Sequence, residues 1–380
     1  MKMIRCILIT ALLSTLLTGC WGAKEIEHMI YVNTLGVDYV DNKVVVYIQM
    51  VNFSGIAKKE AGQAQEQKTF IGKADGESFD TAIFNLYATS PQRIIWSNVK
   101  TIVFSEAALK EKDVVNQVLD VWDRYYEFRY TVWTMGTSDA IDKVLSTTSI
   151  ADLSVIYSQL NSPMRTYEQS SIIAPLYLYK FIWKWKEKAE TVQLPYLEIV
   201  PSWTNNKESS PNISMKGICF LQNQQFRGCL KNNDILGNRW LEKNTERTPL
   251  VIKDEQNDVL ALLVMNKIKH SIRPKLKNGK PVFAIKVSMQ ATLPEISTNL
   301  SKKKLELKAI EEINEQIMKT YTKGLEIGAD VYGLSNIFYR DNVKEWNKLN
   351  DKGQLPLDSK SIDKIDIKVN LISGGISKMK

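Results

Sequence analysis

Between Met29 and Leu145 the spacing of apolar residues switches repeatedly between two residues and 3.6. Such a chain has to pack helices against a mixed sheet, because neither element can bury its apolar side alone. Two β-rich runs come first, Met29–Val40 and Val44–Phe53. Asp41-Asn42-Lys43 joins them, and Val44, Val46, Ile48 and Met50 alternate with their neighbours, which reads as a hairpin. Residues 54–68 are polar and nearly free of branched side chains, the pattern of a mobile loop. A strand at Thr69–Lys73 then leads to a helix at Glu77–Ala88 with Phe79, Ile83, Leu86 and Tyr87 on one face, stopped by Ser90-Pro91. A strand at Lys100–Phe104 precedes helices at Glu106–Lys110 and Asp113–Tyr126. The second of these repeats Val114, Val118, Val121, Trp122 and Tyr125 at helical spacing, and a strand at Arg129–Met135 runs into a helix at Ser138–Leu145.

Residues 149–190 look helical and end in an aromatic-rich stretch, Pro175 to Lys188, which suits a packing helix between domains or a face laid on a membrane interface. Pro195, Pro201 and Pro211, among several Asn and Ser residues, mark the strongest domain boundary. The expected class is therefore α+β and multidomain, with an N-terminal region at 28–200 of two subdomains and a C-terminal domain at 212–378. In the latter, Ser214–Leu221 and Phe226–Leu230 pair around Gln222–Gln225, and Asp258–Ile268 and Pro281–Ala291 are longer strands. A long helix at Lys302–Ile327 buries Ile310, Ile313, Ile317, Met318 and Tyr321, with Gly328 as its C-cap. A last strand alternates Ile365, Ile367, Val369 and Leu371 with polar residues.

The first residues speak to location. Lys2 and Arg5 precede an apolar stretch from Cys6 to Leu17, 12 residues where a membrane span needs about 20. Leu17-Thr18-Gly19-Cys20 looks like the lipobox of bacterial lipoproteins. That likeness implies a signal peptide at 1–19, cleavage between Gly19 and Cys20, a diacylglyceryl anchor on the Cys20 sulfur and a tether at 20–27. Two acyl chains hold a protein at a bilayer where one does not. An ordinary secretory signal with a chance cysteine is the alternative. Without Lys2 and Arg5, 48 basic residues face 42 acidic ones, a formal charge of +6. That excess suits an anionic membrane surface or an acidic partner and is too diffuse for nucleic acid. Lys302-Lys303-Lys304, the only tight basic run, reads as a solvated helix start.

The sequence carries no recognisable catalytic motif. His28 and His270 lie 242 residues apart, and no C-x-x-C, G-x-S-x-G, H-E-x-x-H, P-loop or dinucleotide fingerprint occurs. No catalytic residue, cofactor or metal site is expected. Cys219 and Cys229 sit ten apart, on either side of the expected turn. A cross-strand disulfide and two buried thiols fit that spacing equally well.

The blocks Cys20-Trp21-Gly22-Ala23-Lys24-Glu25, Leu35-Gly36-Val37-Asp38 and Ser90-Pro91-Gln92-Arg93 with Trp96 follow one another in order. Gly217, Phe220, Gly228 and Leu230, then Trp240, then Gly328-Ala329-Asp330-Val331-Tyr332-Gly333 with Trp346, complete the series. With the lipobox in front, the chain resembles the Ger(x)C family, the lipoprotein C subunits of nutrient germinant receptors in endospore-forming bacteria. It departs from the family pattern at Gly22, Lys24 and Asn98. The resemblance implies three sequential α+β domains and a non-enzymatic subunit on the outer face of the spore inner membrane. Its partners would be the membrane-embedded A and B subunits, to which nutrient binding is attributed. Physically, Gly36 and Gly228 suit positive φ or a bulge, and Trp96, Trp240 and Trp346 suit core anchors. The second functional class is an extracytoplasmic solute-binding lipoprotein of an ABC transporter, which needs two similar lobes around a cleft.

Overall fold

Strand β1 (Met29–Val40) turns through Asp41 and Asn42, both left-handed with φ of 51° and 60°, into β2 (Lys43–Val51). That backbone matches the twist of a two-residue hairpin. The computed structural model describes residues 3–5, 29–51, 69–125, 127–147, 155–205, 208–296 and 300–373. The lipobox, the tether and the polar stretch 54–68 lie outside them.

β3 (Phe70–Gly76) extends the hairpin, and Ser78 caps α1 (Phe79–Thr89) by accepting from the Thr81 N–H at 3.2 Å. Phe79 and Leu86 of α1 are buried as the spacing predicts, whereas Tyr87 is 39% exposed. β4 (Arg93–Ile95) and β5 (Thr101–Ser105) both run parallel to β1. α2 (Glu106–Lys110) and α3 (Lys112–Arg124) follow, then β6 (Trp133–Thr137) and α4 (Ile141–Ser146). Tyr125 caps α3 half exposed rather than joining its buried stripe. The expected helix at 149–190 is, over its described part, a set of short pieces: α5 (Pro163–Gln169), β7 (Leu176–Tyr177) and α6 (Leu178–Lys186). Pro163 and Pro175 interrupt it, since each removes a helical donor and restricts the residue before it.

The proline-bearing stretch expected to separate domains is drawn into two strands, β8 (Thr191–Asn205) and β9 (Glu208–Gln222). The ladder tolerates the prolines because Pro201 and Pro211 fall where the register slips, between Val200 and Trp203. With β10 (Gln225–Lys231) the ten-stranded sheet reads β10-β9-β8-β6-β5-β1-β2-β3, with β4 beside β1 and β7 beside β6. Its centre is parallel, from β8 through β6 and β5 to β1. Helices cover both faces: α1, α2, α3 and α6 bury Phe79, Leu109, Trp122 and Phe181 on one side, and α4 buries Ile141 and Val144 on the other. Gly36 has ordinary negative φ; it is required because a Cβ there would lie 2.3 Å from Ile141 Cγ2.

The second sheet has four strands in the order β11-β12-β13-β14: Arg247–Lys253, Val259–Lys277, Lys280–Ile296 and Ile362–Ser373. β11 escaped the sequence reading. α7 (Lys302–Glu326) crosses one face and buries Leu305, Ala309, Ile313, Ile317 and Tyr321, while Ile310 and Met318 lie at its margin. α8 (Leu334–Asp341) and α9 (Val343–Leu349) complete the body. Two mixed sheets with packed helices make the chain an α+β multidomain protein, as expected.

Candidate functional site

The two sheets meet along the β9–β10 hairpin, whose alternating side chains serve two cores at once. Ile218, Phe220 and Leu230 point into the core under α7, while Cys219 and Leu221 belong to the first sheet's core. Cys219 and Cys229 are direct partners in the register, and their sulfur atoms are bonded at 1.97 Å. Gly228 holds φ of 146° at the bulge beside them, a conformation that favours glycine.

The block from Gly328 to Gly333 clasps this hairpin. Gly328, at φ 65°, ends α7, and the Ala329 N–H donates to the Gly324 carbonyl at 2.9 Å. Asp330 is buried and accepts from the Leu334 and Ser335 N–H groups at 2.9 and 2.6 Å, which caps α8. Burial pushes its carboxyl above the ordinary range, and these N–H groups oppose that shift. Its own N–H donates to Gln222 Oε1 at 3.2 Å, Gln193 Nε2 donates to the Val331 carbonyl at 2.8 Å, and Asn223 Nδ2 donates to the Lys352 carbonyl at 2.7 Å. Three amides of the first sheet thus hold the backbone of the second region.

Beside the seam lies a cleft of about 840 Å³. α6 supplies Trp183 and Lys184, the residue before β8 and its first residue supply Glu190 and Thr191, β12 supplies His270, and α8 supplies Asn336 and Arg340. Glu190 is 8% exposed, with Lys184 Nζ and Arg340 Nη2 each 4.0 Å from its carboxylate. Burial raises the Glu190 carboxyl and lowers the His270 imidazole from their ordinary values. Thr191 Oγ1 and Asn336 Nδ2 are buried without a hydrogen-bond partner. A second cavity of about 410 Å³ opens between α1 and α3, walled by Phe84, Tyr87, Trp96 and Phe128. Trp96 Nε1 donates to the Tyr87 hydroxyl at 2.7 Å there, and Arg93 pairs with Glu127 at 3.7 Å on the rim.

Trp96, Trp240 and Trp346 are all buried. The Trp240 Nε1 donates to Gln316 Oε1 at 3.0 Å, and the same oxygen accepts from Arg239 Nη2 at 3.0 Å. Burial lowers the Arg239 guanidinium to about 10. Sequence reading missed this network, since Gln316 sits unannounced inside an amphipathic stripe. Among the described residues no three His, Cys, Asp or Glu side chains come together to hold a metal, and no helix is long and apolar enough to cross a membrane. Leu17, Thr18, Gly19 and Cys20 lie outside the described residues.

Residues 22–199 match the family model described as spore germination protein N-terminal domain, and residues 216–373 match the one described as spore germination B3/GerAC like, C-terminal. Spore germination protein KC of Bacillus subtilis strain 168 is 22% identical, with 94% of each chain covered. Spore germination protein B3 of the same organism is 21% identical over 94% of this chain and 95% of its own. The crystal structure of the GerBC protein superposes with a TM-score of 0.53 at 18% identity, over 89% of this chain and 96% of that one, which shows a common fold.

Proposed function

The chain belongs to the GerAC-like family of spore germination proteins, and from that premise we propose that it is a non-catalytic subunit of a nutrient germinant receptor, held at a membrane by acyl chains on Cys20. Its role is in spore germination. It acts by protein–protein contact with the receptor's A and B membrane subunits, on the extracytoplasmic side, at the outer face of the spore inner membrane. The observation that carries this reading is the ordered match of two family domains over 22–199 and 216–373.

The seam supports a role in contact and coupling, because a partner gripping either region reaches a hairpin built into both. The two regions are unlike, ten strands against four, so the paired similar lobes of a solute-binding lipoprotein are not present among the described residues. The test is genetic. In a strain stripped of related receptors, deletion of the gene or Cys20→Ala is expected to abolish germination with one set of nutrients and leave vegetative growth intact. Labelled palmitate should enter the wild-type chain and not the variant. Normal germination of both mutants would overturn the reading.

A further inference from the structure

The outer face of the second sheet carries an array of exposed cations that no helix among the described residues covers. Between Val259 and Pro294 the chain holds seven Lys and Arg residues and no Asp or Glu. Pairing sets them in rows across three strands: Lys269, Ser288 and Lys368; Ser271, Lys286 and Asp366; Arg273, Ala284 and Lys364; then Lys275 opposite Val282. Strands lie about 4.8 Å apart and successive rows about 6.8 Å apart, so the cations form a lattice across the face. The intervening residues Phe283, Ile285 and Val287 point the other way and are buried. At the hairpin tip, Lys277 is held by Asp363 at 2.9 Å and Lys280 by Asp358 at 3.8 Å. Lys269, Arg273, Lys275, Lys286, Lys364 and Lys368 have no ion pair among the described residues, and Asp366 is the only acid on these rows. A search for basic runs passes over this surface, because alternation puts a cation at every second position.

We propose that this face is a docking surface for an anionic phospholipid bilayer, which lays the second sheet flat against the membrane. A face rich in Lys, with no aromatic side chain on its rows, is unlike the core of a protein–protein interface, where aromatics and Arg are enriched and Lys is depleted. Diffuse attraction of ammonium groups to headgroup phosphates needs no pocket and no fixed partner geometry. The inference rests on the membrane attachment argued above only in that attachment brings a bilayer within reach.

The test uses the chain from residue 20 onward, made without the leader and so without acyl chains, keeping every described residue from Met29. It is sedimented with vesicles of phosphatidylglycerol and phosphatidylcholine, or of phosphatidylcholine alone. Binding is expected only with the anionic lipid, falling at least tenfold as ionic strength rises from about 0.05 M to about 0.5 M. The triple variant Lys269→Glu, Arg273→Glu, Lys364→Glu should lose at least tenfold in binding with its unfolding transition unchanged. Reversal of Lys112, Lys180 and Lys344, exposed or half-exposed elsewhere and equal in net charge, should not. Equal loss in both triple variants, equal binding to both lipids, or capture of polyglutamate without vesicle binding would overturn the proposal, the last in favour of an acidic protein partner. Acylation of Cys20 is read separately by mass spectrometry, so failure of docking and failure of the anchor are distinguishable.

Discussion

The first sheet is covered on both faces and the second on one, and their strands are composed differently as a result. β5 reads Thr101-Ile102-Val103-Phe104-Ser105 with every residue buried, and β6 is likewise buried throughout. β12 instead alternates, with Ala261, Leu263 and Met265 inside; a bulge at Lys267 then shifts the phase, so that Ile268 and Ile272 pack on the core while Lys269, Ser271, Arg273 and Lys275 lie in water. A parallel centre needs helical crossovers that land on both faces, whereas a hairpin ribbon leaves one side free for charge. The free side carries six cations, Lys269, Arg273, Lys275, Lys286, Lys364 and Lys368, that have no ion pair among the described residues.

The largest expected effect tests whether the two regions are separate at all. Trp122 and Trp240 are 1% and 0% exposed in the first and second cores, and truncation of either to Ala should cost about 3–5 kcal/mol. Because Ile218, Phe220 and Leu230 tie β9–β10 into the second core, calorimetry of either variant should show one lowered transition. Two resolved steps would break the comparison into independent domains.

Next in size is the seam itself. Cys219→Ala with Cys229→Ala, or full reduction, should cost about 2 kcal/mol in urea unfolding, and the intact unreduced chain should weigh two hydrogens less than the reduced one. An unchanged mass on reduction would remove the bond. Asp330→Ala deprives α8 of its cap and should cost about 1–2 kcal/mol, with faster amide exchange at Leu334 and Ser335 and none at α1.

The smallest effect is a pH dependence confined to the cleft, where His270 faces Glu242 and Lys243. Burial depresses its pKa, so the unfolded chain binds the proton first as pH falls. Its contribution is full above about 6.5 and is lost as pH drops through the depressed value. Melting temperature should therefore fall on acidification, and less steeply in His270→Gln. Equal slopes in the two proteins would place the titration elsewhere.

What was legible in the residues follows the same contrast. The β12 and β13 alternation, the α7 stripe and the turn at Asp41-Asn42 were readable because one face of each meets water. β8 was not, because Pro195 and Pro201 both signal a break, whereas in the sheet Pro201 falls in a bulge and Pro195 pairs in register with Ile218. α8 and α9 are short, and their caps, Asp330 and Asn342, act through hydrogen bonds that periodicity does not encode. Of the candidate site, the Cys219–Cys229 pairing was visible as one of two options, and the Gly328–Gly333 block was visible only as a resemblance. The amides of Gln193, Gln222 and Asn223 that grip the second region carried no signal, since an amide's partner is fixed by tertiary geometry alone.

The hairpin shared by both cores has a practical consequence for anyone dissecting the molecule. The family domains part between residues 199 and 216, but the sheets part only beyond Lys231. A clone that stops at residue 199 strips β8 of its antiparallel neighbour and offers a bare row of amides to the next copy. One that starts at residue 216 carries Cys219, Leu221 and Phe226 with their burial partner gone. Scissors placed after Lys231 instead sever a connecting turn rather than a ladder, but leave the second core without Ile218, Phe220 and Leu230, so each half is born with a wound the other was dressing.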